Sequence, residues 1–144
     1  MSISLISIEH LDAIHKIDLK TNPSPWSLEN LKSSLEVGHQ GLVSTIDNQV
    51  IGFAMFSAIP PECHILNIAI DKKYQGIGEG ALLLKYVLKQ SKAMKIKIIF
   101  LEVRVSNHKA IDFYTSFGFI KDAIREKYYP GNPREDALLM SLSI

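Results

Sequence analysis

Cysteine is nearly absent: Cys63 is the only one in 144 residues. A lone thiol cannot close an internal disulfide. That removes the small disulfide-stapled folds and points to a reducing compartment. An excess of one charge is also missing. Sixteen Lys and Arg against fifteen Asp and Glu leave +1, whereas a chain that grips a phosphate backbone carries a basic excess or stripe. No apolar run approaches the ~18 residues of a membrane span. The stretch Met1–Ile8 lacks the charged start of a secretory signal. No repeat, linker or low-complexity tract stands out. These absences predict a soluble cytoplasmic protein, one domain over 1–144, monomeric or weakly dimeric, with neither nucleic acid nor membrane as partner. What is present is ordinary globular composition, 47% hydrophobic and 22% charged. At this length about 68–70% of the unfolded surface is buried, enough for a core without metal or disulfide.

Hydrophobic spacing predicts the elements. Ile3–Ile8 reads as a short strand. Leu11, Ile14 and Ile17 give a helix over 9–20, stopped by Pro23 and Pro25. Ser27 is a good N-cap for a second helix with Leu28, Leu31 and Leu35 inward and Gly38 past its end. Strands follow near 41–46 and 50–58, joined at Asp47-Asn48, then a strand at 65–70 after Pro60-Pro61. A glycine cluster opens a long helix to about Ala93. The apolar run 98–105 predicts a strand covered on both faces. Ser106-Asn107 caps a helix over 108–117, and strands near 119–128 and 136–142 flank Pro130-Gly131-Asn132-Pro133. The order β-α-α-β-β-β-α-β-α-β-β predicts an α+β fold with a mixed sheet.

The glycine loop, Gln75-Gly76-Ile77-Gly78-Glu79-Gly80-Ala81, joins a strand to a helix. Glycines there let a ligand approach the backbone, and free N–H groups at a helix start attract phosphate. No Gly-Lys-Ser/Thr follows, so this is not a P-loop. Gly76, Gly78 and Ala81 fit the dinucleotide pattern G-x-G-x-x-A. Against that reading stand five polar residues between strand and first glycine, and too few βαβ units. The loop equally fits Gln/Arg-x-x-Gly-x-Gly/Ala.

Further segments carry a resemblance. They are Pro25-Trp26-Ser27, Leu66-Asn67-Ile68-Ala69-Ile70, Leu101-Glu102-Val103-Arg104, Ser106-Asn107, Phe113-Tyr114, Gly118-Phe119, Tyr128-Tyr129-Pro130 and Glu135-Asp136-Ala137. Together with the loop, and in this order, they resemble the GNAT N-acetyltransferases over nearly the whole chain. Within that superfamily the chain is similar to the bacterial enzymes that acetylate the N-terminal alanine of a small-subunit ribosomal protein. The resemblance implies a mixed sheet of six to seven strands with helices on both faces and splayed central strands. It implies acetyl-CoA as cosubstrate, no metal, and a protein N-terminus as acceptor.

It also implies roles. The backbone of Ile68, Ala69 and Ile70 would hold the pantetheine arm and acetyl group and offer an N–H to a tetrahedral oxyanion. Gly76, Ile77, Gly78, Glu79, Gly80 and Ala81 would take the diphosphate, and Asn107 would contact the coenzyme again. Glu102 falls on the family's general base and Tyr114 on its acid. Trp26 and Tyr129 match positions near the acceptor tail. The residues themselves leave alternatives open. Glu102 is the lone acid in an apolar run, where burial would tune it as a base; it could instead pair on one face with Arg104. Tyr114 lies on the helical stripe Ala110, Phe113, Tyr114, Phe117, a pattern that belongs to cores. Trp26 and Tyr129 could be packing residues.

The loop departs from the family in lacking basic residues: Gly76, Ile77 and Ala81 stand where relatives carry Arg or Lys, and Glu79 is acidic. Lys72, Lys73 and Lys85 could compensate. Lys85, Lys89 and Lys92 on one helix face read as solvated. None of the five histidines has metal-ligand spacing. Cys63 and His64 should point to opposite faces of a strand, which argues against a Cys–His nucleophile. Other readings are an acetyltransferase for an internal lysine or a small amine, and a coenzyme-binding module without catalysis.

Overall fold

The computed structural model describes residues 2–144. Among these, seven strands and four α-helices follow the expected order: β1 Ser2–Leu5, α1 Leu11–Thr21, α2 Leu28–Glu36, β2 Gln40–Ile46, β3 Gln49–Ile59, β4 Glu62–Ile70, α3 Glu79–Ala93, β5 Ile98–Arg104, α4 His108–Ser116, β6 Ile120–Tyr129 and β7 Glu135–Ser143. Local chemistry sets several boundaries. Ser27 Oγ accepts from Asn30 N at 3.1 Å to start α2, and Asn107 Oδ1 accepts from Ala110 N at 3.2 Å to start α4. Both bonds satisfy an N–H that the first helical turn would leave unpaired.

The strands form one mixed sheet in the order β1-β2-β3-β4-β5-β7-β6. Only β4 and β5 run parallel; the other neighbours are antiparallel hairpins or crossovers. Strand alternation divides the core between two faces. Phe53 and Met55 of β3 pack with Leu11, Ile14, Ile17 and Leu31 of α1 and α2. Ala54 and Phe56, one residue out of phase, pack with Leu83, Leu84 and Val87 of α3 and Ile111 and Tyr114 of α4. Helices therefore cover both faces.

Three expectations are corrected. The first strand ends at Leu5, because Ile8–His10 forms a 3-10 turn closed by Ser7 N donating to His10 Nδ1 at 3.0 Å. The strand after Pro60-Pro61 starts at Glu62, not 65, because Ile59 pairs directly with Glu62 in a tight hairpin. The strand covered on both faces is β3, where Ile51 and Phe53 to Phe56 are fully buried. In β5 only Ile99, Leu101 and Val103 are buried, and the alternate residues Ile98, Phe100, Glu102 and Arg104 line an opening.

Candidate active site

That opening exists because β4 and β5 part. Their pairing runs only from Glu62 with Ile98 to Ile65 with Leu101. On its other side β4 stays with β3, but the register jumps: Phe56 pairs with Ile65 and Met55 with Asn67, leaving Leu66 extra. A bulge of this kind bends the strand, and it lies where β4 leaves β5. Leu66–Ile70 thus have main-chain groups with no strand opposite on the β5 side, available to a ligand that pairs like a strand. The cleft has a volume of about 1360 Å³, above the ~300–1,000 Å³ of ordinary small-molecule sites. It suits a long ligand with a second substrate.

One end of the cleft is glycine. Gly76 and Gly78 have φ of +80° and +90°, and a Cβ built on either would meet nothing within 4 Å. The backbone is therefore bare where it turns into α3, in a conformation that L side chains resist. Gly76, Gly78, Gly80 and Ala81 line the cleft; the side chains of Ile77 and Glu79 do not. Ile77 is exposed, and Ser44 Oγ donates to Glu79 Oε2 at 3.4 Å on the β2 side. The acidic carboxylate in the loop is thus turned away from the cleft. Lys72, Lys73 and Lys85 are not among the lining residues either, whereas Lys109 of α4 is. Asn107 also lines the cleft; its Oδ1 is taken by the cap, which leaves its Nδ2 amide free to donate.

The other end is tyrosine and carboxylate. Glu102 faces the cleft with 35% of its side chain exposed and lies 3.8 Å from Arg125 Nη1. It is neither buried among apolar neighbours nor paired with Arg104. The splay removes the cover from that face of β5, and Arg104 is bound elsewhere, to Glu135 at 3.1 Å. The exposed Glu102–Arg125 pair contributes little stability. Tyr114 is 7% exposed. Its ring packs edge-on against Phe113 and Phe119 at centroid distances of 5.4 and 5.6 Å. Burial, with Tyr129 adding, pushes its phenol above the ordinary range, so it keeps its proton at neutral pH. Tyr114 nonetheless lines the cleft. A core stripe position and a cleft position are the same place here.

Trp26 and Tyr129 line the same end. Tyr129 is half-buried, and the Arg104 guanidinium lies 4.5 Å from its ring centroid. Burial, then the charge of Glu102, push its phenol up to about 12. The Glu102 carboxylate beside Tyr128 holds that phenol above its usual range. Hydrogen bonds from Ser106 and the Arg104 guanidinium hold the Glu135 carboxyl below its usual range. Among the described residues no group of His, Cys, Asp and Glu comes together as a metal site. No helix there is long and apolar enough to cross a membrane. Cys63 is buried, while His64, on the opposite face, lines the cleft.

Sequence reasoning missed Lys109, Asp122 and Tyr128 as lining residues, and it missed Asp18. Asp18 shares the buried face of α1 with Leu11 and Ile14 and is fully buried. An acid on an apolar helical stripe was the available signal.

Comparison with known proteins fits this geometry. The model of the acetyltransferase (GNAT) family matches residues 11–119. The chain is 33% identical over 144 residues to the ribosomal protein bS18-alanine N-acetyltransferase of Salmonella typhimurium, covering 99% of this chain and 97% of that one. It is 36% identical over 141 residues to the Haemophilus influenzae protein of the same name, covering 96% of each. Among solved structures, it resembles the Escherichia coli ribosomal-protein-S18-alanine N-acetyltransferase with a TM-score of 0.94 at 33% identity, over 99% and 93% of the two chains. It resembles Ard1 of Thermoplasma volcanium with a TM-score of 0.91 at 25% identity, over 99% and 97%.

Proposed function

Since this chain belongs to the acetyltransferase (GNAT) family and is an acetyl-CoA-dependent N-acetyltransferase, we propose that it acetylates the N-terminal α-amine of an alanine-starting ribosomal protein. The observation that carries the reading is a cleft whose wall includes the exposed carboxylate of Glu102 and the buried phenol of Tyr114, in a chain aligned almost end to end with enzymes named for that substrate.

Acetyl-CoA supplies an acetyl group activated as a thioester. The bare main chain at Gly76 and Gly78 suits its diphosphate, and Gly80 and Ala81 continue that wall; Ile77 and Glu79 contribute through main chain only. The unpaired edge of β4 at Ile68, Ala69 and Ile70 would hold the extended arm and its acetyl group, and Asn107 would add a donor through Nδ2. A terminal α-amine has a pKa of about 7.7–8.0, so a modest base suffices to free its lone pair. Glu102 accepts that proton. As the amine nitrogen bonds to the acetyl carbon and the carbon–sulfur bond breaks, Tyr114 would donate its phenolic proton to the sulfur that leaves. Trp26 and Tyr129 flank the small side chain of the acceptor's first residue.

The test mixes the protein, acetyl-CoA and a peptide that begins with alanine, alongside the same peptide blocked at its N-terminus. Mass spectrometry should place one acetyl group on the α-amine of the free peptide only. Acetylation of lysine side chains with the α-amine untouched would replace the proposed acceptor by an internal lysine.

A further inference from the structure

A line of polar contacts crosses the tyrosine end of the cleft, and no step above uses it. It starts at the fully buried Asp18 of α1. Asp18 Oδ1 accepts from Asn67 Nδ2 of β4 at 2.8 Å and from Asn22 Nδ2 at 3.1 Å. Asp18 Oδ2 accepts from the main-chain N–H of Trp26 at 2.8 Å. Asn22 Oδ1 accepts from Ser24 N at 2.9 Å, and Ser24 Oγ accepts from Arg104 Nη2. The other arm of Arg104 binds Glu135 of β7, whose second oxygen accepts from Ser106 N at 2.8 Å.

A fully buried carboxyl group is costly unless its oxygens are hydrogen-bonded, and three donors reach those of Asp18. A guanidinium is the side chain that can bind two partners through separate arms and still lie flat on a ring. The segment 22–26 has no regular structure and holds two prolines; Trp26 packs against the core cluster of α1, α2 and β3, and this line supplies the polar contacts that tie the rest of the segment down. Trp26 on that segment and Tyr129 beneath the guanidinium both line the cleft.

We propose that Arg104 is a positioning residue that, with Asp18 as anchor, fixes the 22–26 loop and Tyr129 against each other and so sets the acceptor entrance. The assignment rests on the function proposed above for this cleft. It predicts an effect confined to the acceptor. Neither arm of Arg104 touches the glycine loop or the open edge of β4.

The experiment uses Arg104→Lys, which keeps the charge and loses the fork, and Ser24→Ala, which removes only the loop's contact with Arg104. Steady-state kinetics give KM for the alanine peptide, and calorimetry gives Kd for acetyl-CoA. Because Trp26 is the chain's single tryptophan, acrylamide quenching of its fluorescence reports the loop without any acceptor. Arg104→Lys should raise the peptide KM about tenfold and Ser24→Ala roughly threefold. Acetyl-CoA Kd should stay within about twofold, and Trp26 should become more quenchable in the same order. Unchanged peptide KM and quenching in both variants would overturn the proposal. So would an acetyl-CoA Kd that rises in step with the peptide KM, since a general structural role would move both. If the wild-type protein acetylates no N-terminus, the proposed acceptor fails on its own. Quenching then decides the loop role: an increase upholds it, and no change overturns it.

Discussion

At the glycine end of the cleft the chain offers main chain; at the tyrosine end it offers side chains. The first end is made of Gly76 and Gly78 at positive φ with open space where a Cβ would stand, and of a strand edge with nothing opposite. The second is made of Glu102, Tyr114, Tyr129 and Trp26, which come from four different elements or loops; Trp26 is tied to Asp18 and Tyr129 lies under Arg104. A coenzyme is the same molecule in every turnover, and a fixed backbone cradle suits it. An acceptor has to be chosen, and choice needs side chains whose identity can change. The two ends should therefore fail in different ways.

The largest effects belong to the side-chain end. On the proposed roles, Glu102→Gln would remove the proton acceptor and Tyr114→Phe the proton donor. Each should lower kcat by about 10²–10⁴, with acetyl-CoA Kd nearly unchanged by calorimetry. Wild-type turnover in both would remove them from the chemistry. Next comes the glycine end. Gly78→Val forces a β-branched side chain to φ +90°, which costs at least ~1–2 kcal/mol or moves the loop. Acetyl-CoA Kd should rise roughly tenfold while the peptide KM holds. A variant in which both constants rise together would mean that the two ends are one coupled unit.

The same contrast explains what could be read in the sequence. A stretch of bare backbone is written locally: three glycines between a strand pattern and a helix pattern give its position, and the structure puts four of its six residues on the cleft wall. The order of elements was legible for the same reason, since each depends on spacing within a few residues. The tyrosine end was legible only through resemblance. Nothing in the sequence says that Arg104 reaches both Ser24 and Glu135, residues far apart along the chain. An apolar run covered twice predicts either burial for Glu102 or a pairing with Arg104; the early end of the β4–β5 pairing, which uncovers it, lies at a bulge that no single residue announces. The glycine loop is short of positive charge because Gly76, Ile77 and Ala81 replace basic residues, and Glu79 adds an acid. The Glu79 carboxylate faces Ser44 instead of the cleft, and Lys109 of α4 is a lysine on the cleft wall.

The smallest expected effect is on stability at alkaline pH, and it too should be confined to one end. Burial and the Glu102 charge push the Tyr129 phenol from its ordinary 10 up to about 12. A phenol is neutral when protonated, so the folded chain holds this proton more tightly than the unfolded chain does. Between pH 10 and 12 the unfolded state has released a proton that the folded state keeps. Stability must then fall as pH rises through that window. Tyr129→Phe has no such proton to lose. Its urea midpoint should decline less between those limits than that of the wild-type protein, though not to zero, because Tyr114 and Tyr128 are raised in the same direction. Gly78→Val should keep the wild-type slope even if its midpoint is lower throughout. Equal slopes for Tyr129→Phe and wild type would mean that the Tyr129 phenol is solvated, and that the acceptor end is looser than the stack on Arg104 implies.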